Sequence, residues 1–412
     1  MTPPTPDPGT GRDRAWRVGF VVGAGVGVAA RFLARRAHRS GGGGLVDWGR
    51  AESIAVRRLR AAKDALSPAE IQAAQPAYEA AMQRIVPLLE RHLRTQLPGV
   101  VDRHEAVDRA DWARANLVTF KHLVSRLEEH LLARNASRQD DLGAGIAAMA
   151  NRFLTTQQVA FLLSFLGGRV LGQYDIALLS AEARPGRLLW VEENIRATAL
   201  ALEVPLDDFR IWIALHEATH AFEFEAHPWL RPYLADRLER QIAAFMEDAR
   251  TLQSKGVAQF ARRLWPRRGE PLFSGLMTPE QRELLRETQL VMSLLEGFSD
   301  WVMDEVGAEV LPNVKAVRER FEARRDQRRR GLDRIVARLT GLDMKLEQYR
   351  RGERFVAGVA KTGGPAAVAH LWDGPEALPT EAEFADPAAW VRRVAPDTFV
   401  PRPPSMPSNT IS

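Results

Sequence analysis

Residues 207–226 read Asp-Asp-Phe-Arg-Ile-Trp-Ile-Ala-Leu-His-Glu-Ala-Thr-His-Ala-Phe-Glu-Phe-Glu-Ala. Pro205, Asp207 and Asp208 mark a helix start, because acidic side chains there satisfy free backbone N–H groups. Ile211, Leu215, Ala218 and Phe222 then recur at helical spacing and form an apolar stripe. His216 and His220 stand four apart, so both imidazoles project from one face, one turn above the other. Such a pair can chelate one metal ion. Glu217, beside them, can take a proton from a water on that ion, whose pKa the metal lowers toward 7. In 412 residues with nine histidines, His-Glu-x-x-His arises by chance on the order of once in a hundred such chains. The apolar flanks, 211–215 and 221–222, indicate a buried helix. Two unpaired histidines and a glutamate would be costly there, so the metal reading outweighs that of a solvated helix face.

Two histidines do not complete a site. The chain has no cysteine, so the third ligand must be another histidine or a carboxylate. The same absence excludes disulfides, a thiol nucleophile and iron–sulfur clusters. Residues 224–227, Phe-Glu-Ala-His, lack the glycine and histidine spacing that extends the motif in metzincins. Downstream, Thr278-Pro279-Glu280-Gln281 is a capping box with proline at the first helical position, and it opens a helix expected over 279–305. Leu284, Thr288, Val291, Leu295, Phe298 and Val302 define its core side. Glu296 and Asp300 lie four apart on an adjoining face. Carboxylates in so apolar a helix need partners, and a metal ion and a ligating imidazole would serve both.

The sequence Glu296-x-x-Ser299-Asp300 resembles the second half of the gluzincin signature. The resemblance implies zinc held by His216, His220 and Glu296, with Glu217 as general base and Asp300 hydrogen-bonded to His216. The interval from His220 to Glu296 is much longer than in thermolysin-like enzymes. It implies an inserted, mainly helical segment over 229–277. From about Leu45 to Val394 the chain also resembles a family of bacterial zincin-like proteins. Its members carry the labels of hydrolases or of proteins associated with coenzyme F420 biosynthesis. The likeness rests on Leu45-Val46-Asp47-Trp48, on 168–175 (Gly-Arg-Val-Leu-Gly-Gln-Tyr-Asp) and on Asp208-Phe209-Arg210 running into the motif. It rests further on Pro228-Trp229-Leu230, 294–304, Glu347-Gln348-Tyr349 and Leu378-Pro379-Thr380. No flavin or deazaflavin signature accompanies the label.

Zinc peptidases commonly stabilise an oxyanion with a tyrosine or histidine. The chain has four tyrosines, and Tyr349 and Tyr174 sit in the family-like motifs. Tyr349 is the favoured donor. His370 is a weaker candidate, and His227 reads as a cap or surface residue at a helix end. The remaining histidines stand in charged stretches and read as solvated.

The rest of the pattern predicts a mainly α fold with a minor small sheet. Helices are expected at 47–64, 68–96, 106–134, 139–151, 155–172, 192–203, 207–226, 229–253, 257–264, 313–330, 332–339, 341–359 and 364–371. Residues 187–191, Arg-Leu-Leu-Trp-Val, are the best strand candidate. A strand edge there would bind a peptide main chain by β-augmentation. A zincin-like domain is expected over 45–395, between a basic N-terminal segment, 1–44, and a disordered tail, 396–412.

The formal net charge is +5, from 57 Lys and Arg against 52 Asp and Glu. Residues 1–44 carry +5 and residues 318–338 another +5, which leaves the remainder at −5. In 318–338 the arginines interleave with acids and an apolar stripe, so a salt-bridged helical hairpin broken at Gly331 is expected rather than a nucleic-acid surface. Residues 18–30 are apolar, followed by Arg31, Arg35 and Arg36. Thirteen uncharged residues fall short of the roughly 20 that span a bilayer. A loose tail, a marginal anchor over 18–37 and a surface-lying helix remain open. The expected location is cytoplasmic, with membrane association through 18–37 as the alternative.

The functional expectation is a zinc hydrolase acting on a peptide, with Glu217 activating water. Its alternatives are a zinc hydrolase of small amides or esters, and a catalytically idle zincin-like scaffold. An intact Glu217 speaks against the scaffold.

Overall fold

Ser67 and Thr278 start helices as their sequences predict. Each accepts a hydrogen bond from the backbone N–H three residues on, and Glu70 and Gln281 reach back to the cap N–H groups. The computed structural model describes residues 44–97, 99–132, 142–174, 186–255, 278–327 and 342–399. The N-terminal segment 1–43, the helices expected at 257–264 and 332–339, the break at Gly331 and the tail beyond 399 lie outside the described residues.

Within them the helices are α1 (Trp48–Arg60), α2 (Pro68–Leu93), α3 (Arg109–Leu132), α4 (Leu142–Gly167), α5 (Glu192–Leu202), α6 (Leu206–Glu225) and α7 (Leu230–Lys255). They continue as α8 (Pro279–Val310), α9 (Val314–Gln327), α10 (Leu342–Ala369), α11 (Glu381–Ala385) and α12 (Pro387–Val394). The two helices expected at 139–151 and 155–172 are one helix, α4. No proline and no glycine stands at the expected break to end it. No described helix is long and apolar enough to cross a membrane.

Three short strands, β1 (His104–Val107), β2 (Gly172–Tyr174) and β3 (Leu188–Val191), form a sheet of order β1-β3-β2. β1 runs parallel to β3 and β2 antiparallel to it. The expected strand is therefore real, but it is the middle one. Both its edges are occupied, and the expected β-augmentation on 187–191 has no free edge to use. The outer edge of β1 is closed as well. The Gln75 side chain donates to His104 O and accepts from Ala106 N–H, as a neighbouring strand would. β2 faces α6.

The segment Glu192-Glu193-Asn194 follows β3 and is fully buried, which no pattern of the sequence signals. Its partners explain the burial. Tyr78 Oη–H donates to Glu192 Oε2 at 2.7 Å, and Arg210 and Arg196 pair with the same carboxylate. Glu193 accepts from the Leu66 and Arg109 N–H groups, while Arg109 forks onto Asp64. Arg210 thereby ties the start of α6 to the end of the sheet.

Helix α6 is buried along nearly its whole length, with α2 and α8 packed on it. α10 in turn crosses α8 at Gly297 and Gly352. The described part of the arginine-rich stretch is helical and carries ion pairs. Arg318 pairs with Asp304, Glu322 and Glu353, and Arg320 caps the end of α5 through Leu202 O and Glu203 O.

Candidate metal centre

Helices α6 and α8 bring together the three residues singled out as ligands. His216 Nε2 and His220 Nε2 face each other at 3.2 Å. One ligand atom from each of His216, His220 and Glu296 lies within 4.8 Å of the others. Both imidazoles are oriented through their other nitrogen. His220 Nδ1–H donates to Glu223 Oε2 at 2.7 Å, and His216 Nδ1 lies 2.9 Å from Ser299 Oγ. Once a metal displaces any Nε2 proton, the neutral rings with Nδ1 protonated would present both Nε2 lone pairs toward the same point. Two imidazole nitrogens and one carboxylate oxygen are the donor set of catalytic zinc, which keeps three protein ligands. The residues therefore fit the metal. Trp212, one turn before His216, lies parallel to its ring with centroids 6.4 Å apart and forms one wall.

Glu217 points from the same helix toward β2. Its Oε2 accepts the Tyr174 N–H at 3.0 Å. Burial pushes its pKa up to about 7, against the opposing pull of the His220 charge and the Tyr174 N–H. A carboxylate poised there suits a general base working at neutral pH.

Sequence reasoning missed Glu223 and Ser299. Glu223 is fully buried, and its Oε1 has no partner among the described residues. Its position was readable, because a residue three after His220 shares the face of the ligands. Ser299 sits inside the quoted Glu-x-x-Ser-Asp stretch, where the resemblance directs attention to Asp300. Asp300 is half-buried and next in the chain. Burial opposes the charge of Arg318, but hydrogen bonds to Asp304 and Glu322 and the charges of Asp300 and Asp304 raise its pKa.

The other candidates fall elsewhere. Tyr349 lies on α10, and its side chain is outside the described ones. The Tyr174 hydroxyl is held by Glu225 and Arg231 at the end of α6. His227 Nδ1–H donates to Glu223 O at 2.8 Å, a helix-end cap, and His370 pairs with Asp373.

A family model described as zincin-like metallopeptidase matches residues 46–391. The chain belongs to this zincin-like family. It is also similar to a solved structure from Chloroflexus aurantiacus, described as "a putative hydrolase with a novel fold". The two are 34% identical with a TM-score of 0.62, covering 84% of this chain and 98% of that one. No curated protein matches the chain. The expected zincin-like family and mainly helical class are thus borne out, and neither match bears on coenzyme F420. The family implies an enzyme of the hydrolase type that uses a metal, typically zinc.

The buried charges predict how the metal-free protein responds to pH. Burial opposes the charge of His220, but the carboxylates of Glu223, Glu296 and Glu217 outweigh it and hold its pKa up to about 10. A group raised from 6.5 contributes stability that is full below 6.5 and lost as pH rises toward 10. Glu217 and Glu223, raised from 4.5 mainly by burial, act in the same direction between 4.5 and about 7. The melting temperature of chelator-treated protein should therefore fall between about pH 6 and about pH 9, and fall less in His220→Ala. Zinc bound at His220 would have to displace its proton, so a stabilising effect of zinc should grow over the same range. Melting curves with and without zinc test this, and a pH-independent zinc effect would contradict it.

Proposed function

We propose that the protein is a zinc-dependent hydrolase of the peptidase type. The observation that carries the reading is the convergence of His216 Nε2, His220 Nε2 and Glu296 from two helices, with Glu217 beside them. Zinc held there supplies Lewis acidity, which acidifies a water and polarises an acyl oxygen. Glu217 takes the proton of the attacking water on its carboxylate and returns it to the leaving group. Glu223 and Ser299 hold the two rings in register, and Asp300, next in the chain to Ser299, is the proposed further partner of His216. Tyr349 is the proposed oxyanion donor. The resemblance of Glu347-Gln348-Tyr349 to the family's stretch supports that role.

The decisive test is zinc content by mass spectrometry. Wild type should carry one zinc per chain, His216→Ala none, and Glu296→Gln should bind it more weakly. Full zinc retention by His216→Ala would sink the assignment. The family description favours a peptide substrate. The closed edges of β3 favour a smaller amide or ester. Parallel screens of peptide libraries and small acyl compounds separate the two.

A further inference from the structure

Strand β2 belongs to the family-like stretch 168–175, to which the hydrolase reading gives no role. It meets α6 at the general base. Val191 N–H donates to Leu171 O at 2.8 Å. By antiparallel alternation Gln173 is the next residue to pair with β3, and Gly172 and Tyr174 turn their backbone groups away from it. The outward Tyr174 N–H is the one that donates to Glu217 Oε2. Gly172 lies against the same side chain. A Cβ built on it would stand 2.6 Å from Glu217 Cγ, 2.9 Å from Oε1 and 3.0 Å from Cδ, and these are its three nearest atoms. The backbone does not demand glycine there, because the positive-φ glycine among the described residues is Gly364. The nearest group that requires the missing Cβ is the glutamate.

We propose that Gly172 is a positioning residue for Glu217. Together with the Tyr174 N–H it forms a socket in β2 that fixes the carboxylate. The sheet edge, and not the ligand helices, then sets the rotamer of the base. A side chain at 172 would push the carboxylate off the Tyr174 N–H while leaving His216, His220 and Glu296 untouched. The inference rests on the proposed role of Glu217 beside a zinc ion.

The probe is acetohydroxamate, which chelates zinc through two oxygens and gives its proton to an adjacent carboxylate. Its affinity for the zinc-loaded full chain is measured by calorimetry, with zinc content and melting temperature recorded for every variant. Gly172→Ala should keep its zinc and bind acetohydroxamate about tenfold more weakly. In the Glu217→Ala background there is no Cγ to strike, so adding Gly172→Ala should change the affinity by less than about twofold. Equal weakening in both backgrounds, unchanged affinity in the native background, or loss of zinc from Gly172→Ala overturns the proposal. A wild-type chain that takes no zinc, or takes zinc but no acetohydroxamate, defeats the hydrolase reading itself.

Discussion

Glu217→Gln is expected to keep its zinc and to lower turnover by about a hundredfold to ten-thousandfold. The amide has the size and shape of the carboxylate. Its oxygen can still accept the Tyr174 N–H, so the socket in β2 and the ligand geometry remain. What disappears is the ability to take a proton. Because burial holds the carboxylate near 7, small changes in its surroundings move its protonation across the working range. The measurement is kcat on the best substrate from the peptide and acyl screens, with zinc content determined in parallel. Zinc loss would mean that Glu217 is structural. Unchanged turnover would mean that the base is another group.

Gly352→Ala is expected to destabilise the fold by about 3 kcal/mol, at the upper end of the usual cost of overpacking. A Cβ on Gly352 would lie 1.8 Å from Ser293 O and 2.7 Å from Ser293 C. The reciprocal atom on Gly297 would lie 2.2 Å from Gly352 C. These are backbone atoms on both sides, so no side-chain rotation relieves the clash, and α8 and α10 must move apart. Glu296 stands between Ser293 and Gly297 in the chain. Separation of the helices should therefore weaken zinc binding along with stability. The urea midpoint and the zinc dissociation constant report the two effects. A variant with wild-type values for both would show that the helices do not cross this closely.

Long elements were legible in the sequence because their signals are local. The capping boxes at Ser67 and Thr278 and the apolar stripe of α6 lie within one or two turns of the residues they organise. The strands were mostly not. β1 and β2 have four and three residues, too few for an alternation to register, and the helix expected at 106–134 wrongly takes in 106–107, the end of β1. β3 was found from its apolar run, yet its place in the middle of the sheet depends on two strands that were not seen. That place reversed its expected role.

The candidate site divides in the same way. The alignment of His216 and His220 is a property of the helix repeat, and Glu217 beside them follows from adjacency, so the sequence alone determined the chemistry on offer. A cysteine-free composition confined the search for a third ligand to histidine and carboxylate, and an apolar helix made Glu296 conspicuous. The tertiary structure decided how the His216 ring is held, because Ser299 reaches its Nδ1 from 83 residues away. It also decided where Glu217 points, through a backbone N–H 43 residues distant. Periodicity along one helix carries no information about atoms that a different segment brings to it. Those contacts exist only once α8 and β2 have packed against α6.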